Sequence, residues 1–321
     1  MERNKPLPNS LLEAVKFFSD KDIARDFLAG LRWPDGPVCP VEGCGSTNVG
    51  FLKSRKIWKC RGCRKQFSVK VGTIFEDSPI GLDKWLPAVW LIANCKNGIS
   101  SYELARALGV TQKSAWFMLH RIRLAMQSGS FDRKLCGEIE VDETFIGGKA
   151  RNMHKSKRAK KITGTGGKDK TAVLGVLERS GSVRATVIPN TKKKVLQPLV
   201  KTHVAAGSAV YSDALKSYDG LSADYDHEVI DHAVAYVEGN VHTNGMENFW
   251  SLLKRGLGGT YVSVEPFHLF RYIDEQVFRY NNRKDINDLG RFTQVLRQVS
   301  GRRLTYERLT GKEGELDTAS N

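Results

Sequence analysis

A chain of 321 residues, 40% hydrophobic and 26% charged, is long enough for two or three domains and has the balance of a globular protein in water. Its 50 lysines and arginines against 35 acids leave a net charge of +15, which favours nucleic acid or another anionic partner through phosphate neutralisation and counterion release. Composition and pattern exclude a membrane span (the most apolar run, Trp85 to Ala93, is far short of ~20 residues), a secretion signal in the first residues, and a disulfide framework, leaving the reducing cytosol as the expected compartment.

From Asn9 to Leu31 apolar residues recur at helical spacing (Leu11, Leu12, Val15, Phe18, Ile23, Phe27, Leu28), and Gly30 with Pro34-Asp35-Gly36-Pro37 closes the run. Residues 1–37 therefore read as an N-terminal helical segment. Residues 38–78 form a cysteine module. Cys39 and Cys44 are separated by four residues and Cys60 and Cys63 by two, with fifteen between the pairs. Paired thiolates on tight turns supply four tetrahedral sulfur ligands to zinc. Gly43, Gly45 and Gly62 sit where the chain must turn, and Lys53, Arg55, Lys56, Lys59, Arg61, Arg64 and Lys65 offset the thiolate charge. A redox pair is the alternative, but it leaves four cysteines at this spacing unexplained. The reading is a zinc ribbon whose metal is structural, because ~40 residues bury too little surface to fold alone. Cys95 and Cys136 have no partner in the pattern.

Residues 79–130 are helical, interrupted by polar turns. Ser100 with Glu103 three residues later has the form of a capping box opening a helix to Leu108. Gly109 ends that helix, and Thr111 caps a second one. Packing by Ala105, Val110, Ala115, Leu119 and Ile122 leaves Gln112, Lys113, Ser114 and Arg121 exposed on the second helix. This is the layout of a helix-turn-helix, whose second helix reads the major groove, and those four residues are its candidate DNA contacts. Gly129 and Ser130 mark a joint.

From Gly137 the pattern changes to strands, and 137–290 reads as one domain. Glu138 to Glu143 alternates polar and apolar residues, and a basic stretch follows, Gly147 to Lys170, with nine lysines or arginines and a single acid. Strands are expected at Thr171 to Leu177 and Val183 to Ile188, joined by Ser180-Gly181. A helix follows from Lys192 to Ala206, then strands at Ala209 to Ser212 and His227 to Ile230. Two helices carry the chain to about Arg283, and residues 291–321 remain as a polar tail, loosely held beyond Gly301. Three strands, a helix, a strand ending in an acid, another strand and a long helix is the RNase H-like order. The expected class is multidomain α+β: zinc ribbon and helix-turn-helix, then an RNase H-like domain with a mixed α/β sheet.

Asp142 and Asp213 fall near strand ends, where open sheets place their ligands. A strand-end aspartate is also an ordinary cap. The helix Asn244 to Leu257 gathers Met246, Phe249, Trp250, Leu253 and Leu257 on one face and centres Glu247 on the other, with Lys254 two turns on. Three acids converging from these elements would hold two Mg²⁺ or Mn²⁺ ions ~4 Å apart, suited to in-line attack on a phosphodiester. Glu140 shares the strand face of Asp142 and is read first as a surface or ion-paired carboxylate; Glu143 flanks Asp142, and His242 is left open.

Several stretches, as written here, resemble a known family. They are Cys-Pro…Cys-Gly…Trp-Lys-Cys-Arg-Gly-Cys-Arg-Lys-Gln-Phe-Ser-Val, Val141-Asp142-Glu143-Thr144-Phe145-Ile146-Gly147-Gly148-Lys149, Tyr211-Ser212-Asp213, His242-Thr243-Asn244-Gly245-Met246-Glu247-Asn248-Phe249-Trp250-Ser251-Leu252-Leu253-Lys254-Arg255, and Phe278-Arg279-Tyr280-Asn281-Asn282-Arg283. The chain resembles the zinc-ribbon DDE transposases of bacterial insertion sequences, the ISXO-like group. The resemblance implies that Asp142 and Asp213 are metal ligands, with Glu247 or Asn248 third; Glu247 is preferred because a carboxylate neutralises a divalent cation better than an amide. It further implies that Lys254, followed by Arg255, contacts DNA near the cut. The substrates are then double-stranded DNA, both terminal inverted repeats and target, handled by a dimer or larger assembly among the nucleoid DNA of a bacterial cytoplasm. A nuclease on the same core that does not join strands, and a DNA-binding regulator that has lost catalysis, are the alternatives.

Overall fold

The computed structural model describes residues 6–127, 133–148, 154–156, 158, 170–179, 181–230 and 242–312; Gly129, Ser130, Ser180 and most of the basic stretch 149–170 lie outside them. The chain divides into two compact units, formed by the described residues of Met1–Gln127 with Asp285–Asn321, and of Ser128–Lys284. Among the described residues no helix is long and apolar enough to cross a membrane.

The first unit begins with α1 (Leu11–Phe18) and α2 (Lys21–Arg32), where the sequence predicts one helix. The break has a local cause. The Ser19 hydroxyl donates to the Lys16 carbonyl (2.8 Å), and Asp20 caps α2 by accepting from the N–H groups of Asp22 and Ile23. A three-stranded antiparallel ribbon follows: β1 (Val49–Leu52), β2 (Ile57–Cys60) and β3 (Gln66–Phe67). Its Trp58 lies edge-on to Trp33 at the end of α2, 5.2 Å between ring centres, and this contact seats the ribbon on the helices. Next come α3 (Leu82–Asn94), α4 (Ser101–Leu108) and α5 (Gln112–Met126). The apolar run that is too short for a membrane is the buried axis of the unit, since α3 packs against α1, α2 and α5 and hides Trp85 and Trp90. The capping box is present in both directions: Glu103 N–H donates to Ser100 Oγ and Ser100 N–H to Glu103 Oε2. Gly109 ends α4 at φ +60°, a backbone that a residue without a Cβ adopts at no steric cost.

The second unit is built on a five-stranded sheet with β4 (Glu138–Ile146), β5 (Thr171–Glu178), β6 (Val183–Ile188), β7 (Ala209–Asp213) and β8 (Asp226–Ile230). The order is β6-β5-β4-β7-β8, antiparallel among the first three and parallel for β4–β7 and β7–β8. Helix α6 (Lys193–His203) covers one face over Ile139, Val141, Leu174, Val176 and Val210. Helices α7 (Asn244–Gly256) and α8 (Leu269–Asn281) cover the other over Val173, Leu177 and Val183. The inner strand β5 is buried on both faces, which is why its sequence is apolar throughout rather than alternating.

Beyond the second unit the chain returns to the first through α9 (Asp288–Arg297) and α10 (Tyr306–Leu309). The segment read as a loose polar tail is packed: Phe292 of α9 is fully buried against Trp90 and Phe18, and Leu304 and Leu309 are buried in turn. Its polarity belongs to its outer face. The reading of Arg121 also changes. Expected on the exposed face of α5, it is 7% exposed, and its guanidinium donates to the carbonyls of Ile74 (3.0 Å), Glu76 (2.7 Å) and Leu304 (3.1 Å). The second half of α5 is enclosed by α3 and the returning segment, so the cation is buried and engaged by those carbonyls instead of standing on the exposed face. Arg121→Ala strands three buried carbonyls and is expected to cost about 3 kcal/mol or more in urea unfolding. A change below about 1 kcal/mol would show that these contacts are dispensable.

Candidate metal centres

Strand β4 pairs with β7 only as far as Glu140 opposite Tyr211. Beyond that point the strands part, and a crevice opens at the carboxyl end of β7. Asp142 and Glu143 stand on β4 just past the last pair, and Asp213 is the final residue of β7. Carboxylate oxygens of these three lie within 4.8 Å of one another. Asp142 is therefore at mid-strand, and the end of pairing, rather than the end of the strand, makes it a crevice residue.

The crevice is partly withdrawn from water, and this dominates its electrostatics. Burial pushes the Asp142 carboxyl up to about 6, against hydrogen bonds from Glu143 and Trp250 that pull it down and with the charges of Asp213 and Glu247 pushing further. Burial likewise raises Glu143 to about 7, and again Asp213 and Asp142 add to the rise. Glu143 accepts the Tyr218 hydroxyl. Carboxylates this close repel unless protonated or bridged by a cation, so the donor set fits a hard divalent ion bound through oxygen.

Glu247 lies outside that cluster. It is exposed on α7, near enough for its charge to reach Asp142. What α7 sends to the sheet is instead Trp250, whose Nε1 donates to Asp142 Oδ2 (2.9 Å), and the Met246 N–H, which donates to Glu140 Oε2 (2.9 Å). Lys254 is exposed as the helical face predicts, and Asn248 and Arg255 are exposed as well. Glu140 is 1% exposed and ion-paired with Arg179 Nε at 2.9 Å; His242 Nδ1 stands 3.4 Å from the same carboxylate and 3.1 Å from Arg179 Nη2. The favoured reading of Glu140 is correct in its pairing, and His242 finds its place there too. Glu143 carried little weight in the sequence because alternation sends it to the opposite strand face from Asp142; Tyr218 and Trp250 carried none as site residues, having only the signature of core aromatics.

The four cysteines gather in the first unit. All four sulfurs lie within 4.8 Å of one another, with Cys39 and Cys63 at 3.7 Å and Cys44 and Cys60 at 3.7 Å. Four ligands ~2.3 Å from a tetrahedral zinc stand ~3.8 Å apart, so the cluster has the size zinc requires. The Cys63 N–H donates to Cys60 Sγ (3.5 Å) and draws that thiol down to about 6. The surrounding lysines and arginines, Lys53 to Lys65, are exposed. On α5, Thr111 caps the helix through Ser114 N–H (3.1 Å), Gln112 donates to Ser101 Oγ (2.8 Å), and Lys113 lies over the Tyr306 ring.

Comparison with known proteins agrees with these two centres. Residues 134–281 match the ISXO2-like transposase domain, and residues 19–66 match the transposase zinc-ribbon domain. An uncharacterized protein in the transposable element ISH50 of Halobacterium salinarum is 28% identical over 283 residues, 83% of this chain and 94% of the relative. An uncharacterized transposase-like protein of Haemophilus influenzae is 29% identical over 116 residues, 36% of this chain and 94% of the relative. The resemblance read from the motifs is borne out.

Two measurements check the centres. Asp142 and Glu143 are raised from ordinary values of 3.8 and 4.5, so the folded chain favours their protonated forms. That contribution is complete below about pH 4 and lost as pH rises through about 6 and 7. Magnesium should therefore raise the melting temperature clearly at pH 8 and little at pH 5, and Asp142→Asn with Glu143→Gln should remove the difference; equal stabilisation at both pH values would contradict a cation on these acids. Separately, strong chelation should release one zinc per chain, read by elemental analysis, and unfold the ribbon. A chain that keeps its circular dichroism after losing zinc would show the metal to be unnecessary.

Proposed function

We propose that this chain, which carries an ISXO2-like transposase domain behind a transposase zinc ribbon, is a metal-dependent DDE transposase that cuts and joins DNA. The observation that carries the reading is the meeting of Asp142 and Asp213 in the β4–β7 crevice, within the region matching the transposase domain. A sheet with three antiparallel strands followed by two parallel ones, in the order β6-β5-β4-β7-β8, supports an RNase H-like catalytic domain. Caps at Ser100 and Thr111 on either side of Gly109 support a helix-turn-helix in α4 and α5, with Gln112, Lys113 and Ser114 at its groove-facing end.

Asp142 and Asp213 are the first two cation ligands, and Glu247 is the third, with Asn248 as the alternative; the α7 side chain reaches the crevice when DNA and cations draw it in. Bound Mg²⁺ or Mn²⁺ supplies an activated attacking oxygen and a stabilised leaving oxygen. The protein's own part is orientation and charge. The Asp142 and Asp213 carboxylates accept hydrogen bonds from the protein before any cation arrives, and Lys254 and Arg255, exposed on α7, neutralise phosphates next to the cut. The exposed cations of the ribbon add sequence-independent affinity. The substrate is the pair of terminal inverted repeats of an insertion sequence, then target DNA. Holding two ends requires at least two chains on the DNA. A bacterial cytoplasm, in contact with the nucleoid, is the setting these substrates require.

The test is strand transfer with a labelled inverted-repeat end, a target plasmid and Mg²⁺ or Mn²⁺. Joined product is expected from the wild-type chain, with a loss of about 100-fold or more in Asp213→Asn. Cutting without joining would point to a nuclease on the same core, and tight binding with neither step to a DNA-binding regulator.

A further inference from the structure

Among the described residues, the α7 side chain hydrogen-bonded to the acidic cluster is Trp250. It is 4% exposed, and its ring belongs to the apolar layer between the sheet and α7. Its indole N–H nevertheless leaves that layer to donate to Asp142 Oδ2 at 2.9 Å. The other oxygen, Oδ1, accepts the N–H of Glu143 at 2.8 Å. Each oxygen of Asp142 thus has one donor, on opposite sides of the carboxylate, and a carboxylate so held cannot rotate freely about its last bond. One donor is backbone of the same strand. The other belongs to a different element.

The sheet is shaped to receive that ring. Gly175 lies directly opposite Asp142 in the β4–β5 pairing. A Cβ on residue 175 would stand 2.6 and 2.8 Å from two carbons of the Trp250 ring and would also strike the Met246 methyl. Those distances are closer than side chains tolerate, so the glycine is what lets the indole lie across β5 and reach its neighbour strand. One turn earlier, the Met246 N–H is held by the buried Glu140 carboxylate, which Arg179 secures from the other side. Gly245 repeats the arrangement, since a Cβ there would stand 2.8 Å from Glu140 Oε2. Two attachments four residues apart fix both the position of α7 along the sheet and its rotation. Glu247 lies between them.

Resting on the transposase reading above, we infer that Trp250 is a positioning residue: its indole N–H sets the orientation in which Asp142 receives the catalytic cation, and couples that orientation to the placement of α7. Tryptophan is suited to this because its N–H is donor-only and its ring supplies the packing that anchors the donor. Outer partners of this type govern cation affinity through the geometry of the ligand they hold.

The experiment removes the N–H and keeps the ring. Trp250→Phe is the simple variant, and replacing Trp250 by benzothienylalanine through codon suppression exchanges only N–H for sulfur and preserves ring volume if the phenylalanine chain does not fold. Mn²⁺ alone is titrated into each full-length chain and read by calorimetry, and strand transfer is measured beside it. Loss of the donor should weaken Mn²⁺ binding about tenfold and lower kcat by a similar factor, with KM for DNA and the melting temperature of the sulfur isostere unchanged. Unchanged Mn²⁺ affinity and kcat in the isostere would overturn the inference and leave the transposase reading intact. A wild-type chain that neither binds Mn²⁺ nor joins DNA would overturn both.

Discussion

A carboxylate drawn out of water must find hydrogen bonds, a proton or a cation, and the second unit is organised around meeting that demand at Asp142. The side chain stands where β4 and β7 cease to pair, so on that edge β7 supplies no backbone ladder beside it. The chain answers with the Glu143 N–H and the Trp250 indole and leaves the rest of the requirement open toward Asp213. The raised carboxyls of Asp142 and Glu143 express the same deficit in another form. A positive ion bound there would relieve all three acids at once and stabilise the fold around them.

On the α7 face of the sheet, polar attachments are set into the apolar layer beside that arrangement. Glu140 is more deeply buried than any member of the acidic cluster, yet it takes no part in it. Its charge is met by Arg179 and by the Met246 N–H, and a buried ion pair of this kind specifies one docking position where apolar packing alone would accept several. The glycines at 175 and 245 remove the side chains that would hold α7 away from the sheet. On the opposite face, Tyr218 hydrogen-bonds Glu143 from within the apolar cluster under α6. The acids are thus supported from both layers, each by an aromatic residue with a polar tip.

The first unit solves a different problem. Its ribbon has three short strands and little apolar surface of its own, so cohesion falls to the four cysteines and to Trp58 packed on Trp33. The helical part gathers around α3, and the chain's last described helices complete that core. Basic side chains in this unit divide into two kinds. Those of the ribbon from Lys53 to Lys65 face solvent, with Lys56 paired to Asp22 and Arg55 bonded to Gln66, while Arg121 is held by three carbonyls of the fold.

What the sequence determined by itself were the features carried by local rules. Metal spacing gave the ribbon, caps at Ser100 and Thr111 placed α4 and α5, and an acid at a strand's end located Asp213, whereas Asp142 proved to lie at mid-strand where pairing with β7 stops. Periodicity also assigned Trp250 and Met246 to the buried face of α7. Four matters were left to the tertiary structure. Glu143 joins the cluster although alternation sends it to the other strand face, because the end of β4–β7 pairing opens the crevice to both faces. Glu247 stays in solvent beside the acids, Arg121 turns inward, and the polar C-terminal segment buries Phe292 and Leu309. Each depends on which surface another part of the chain covers, and coverage is a property of contacts between residues far apart in sequence; no local pattern of residue types contains it.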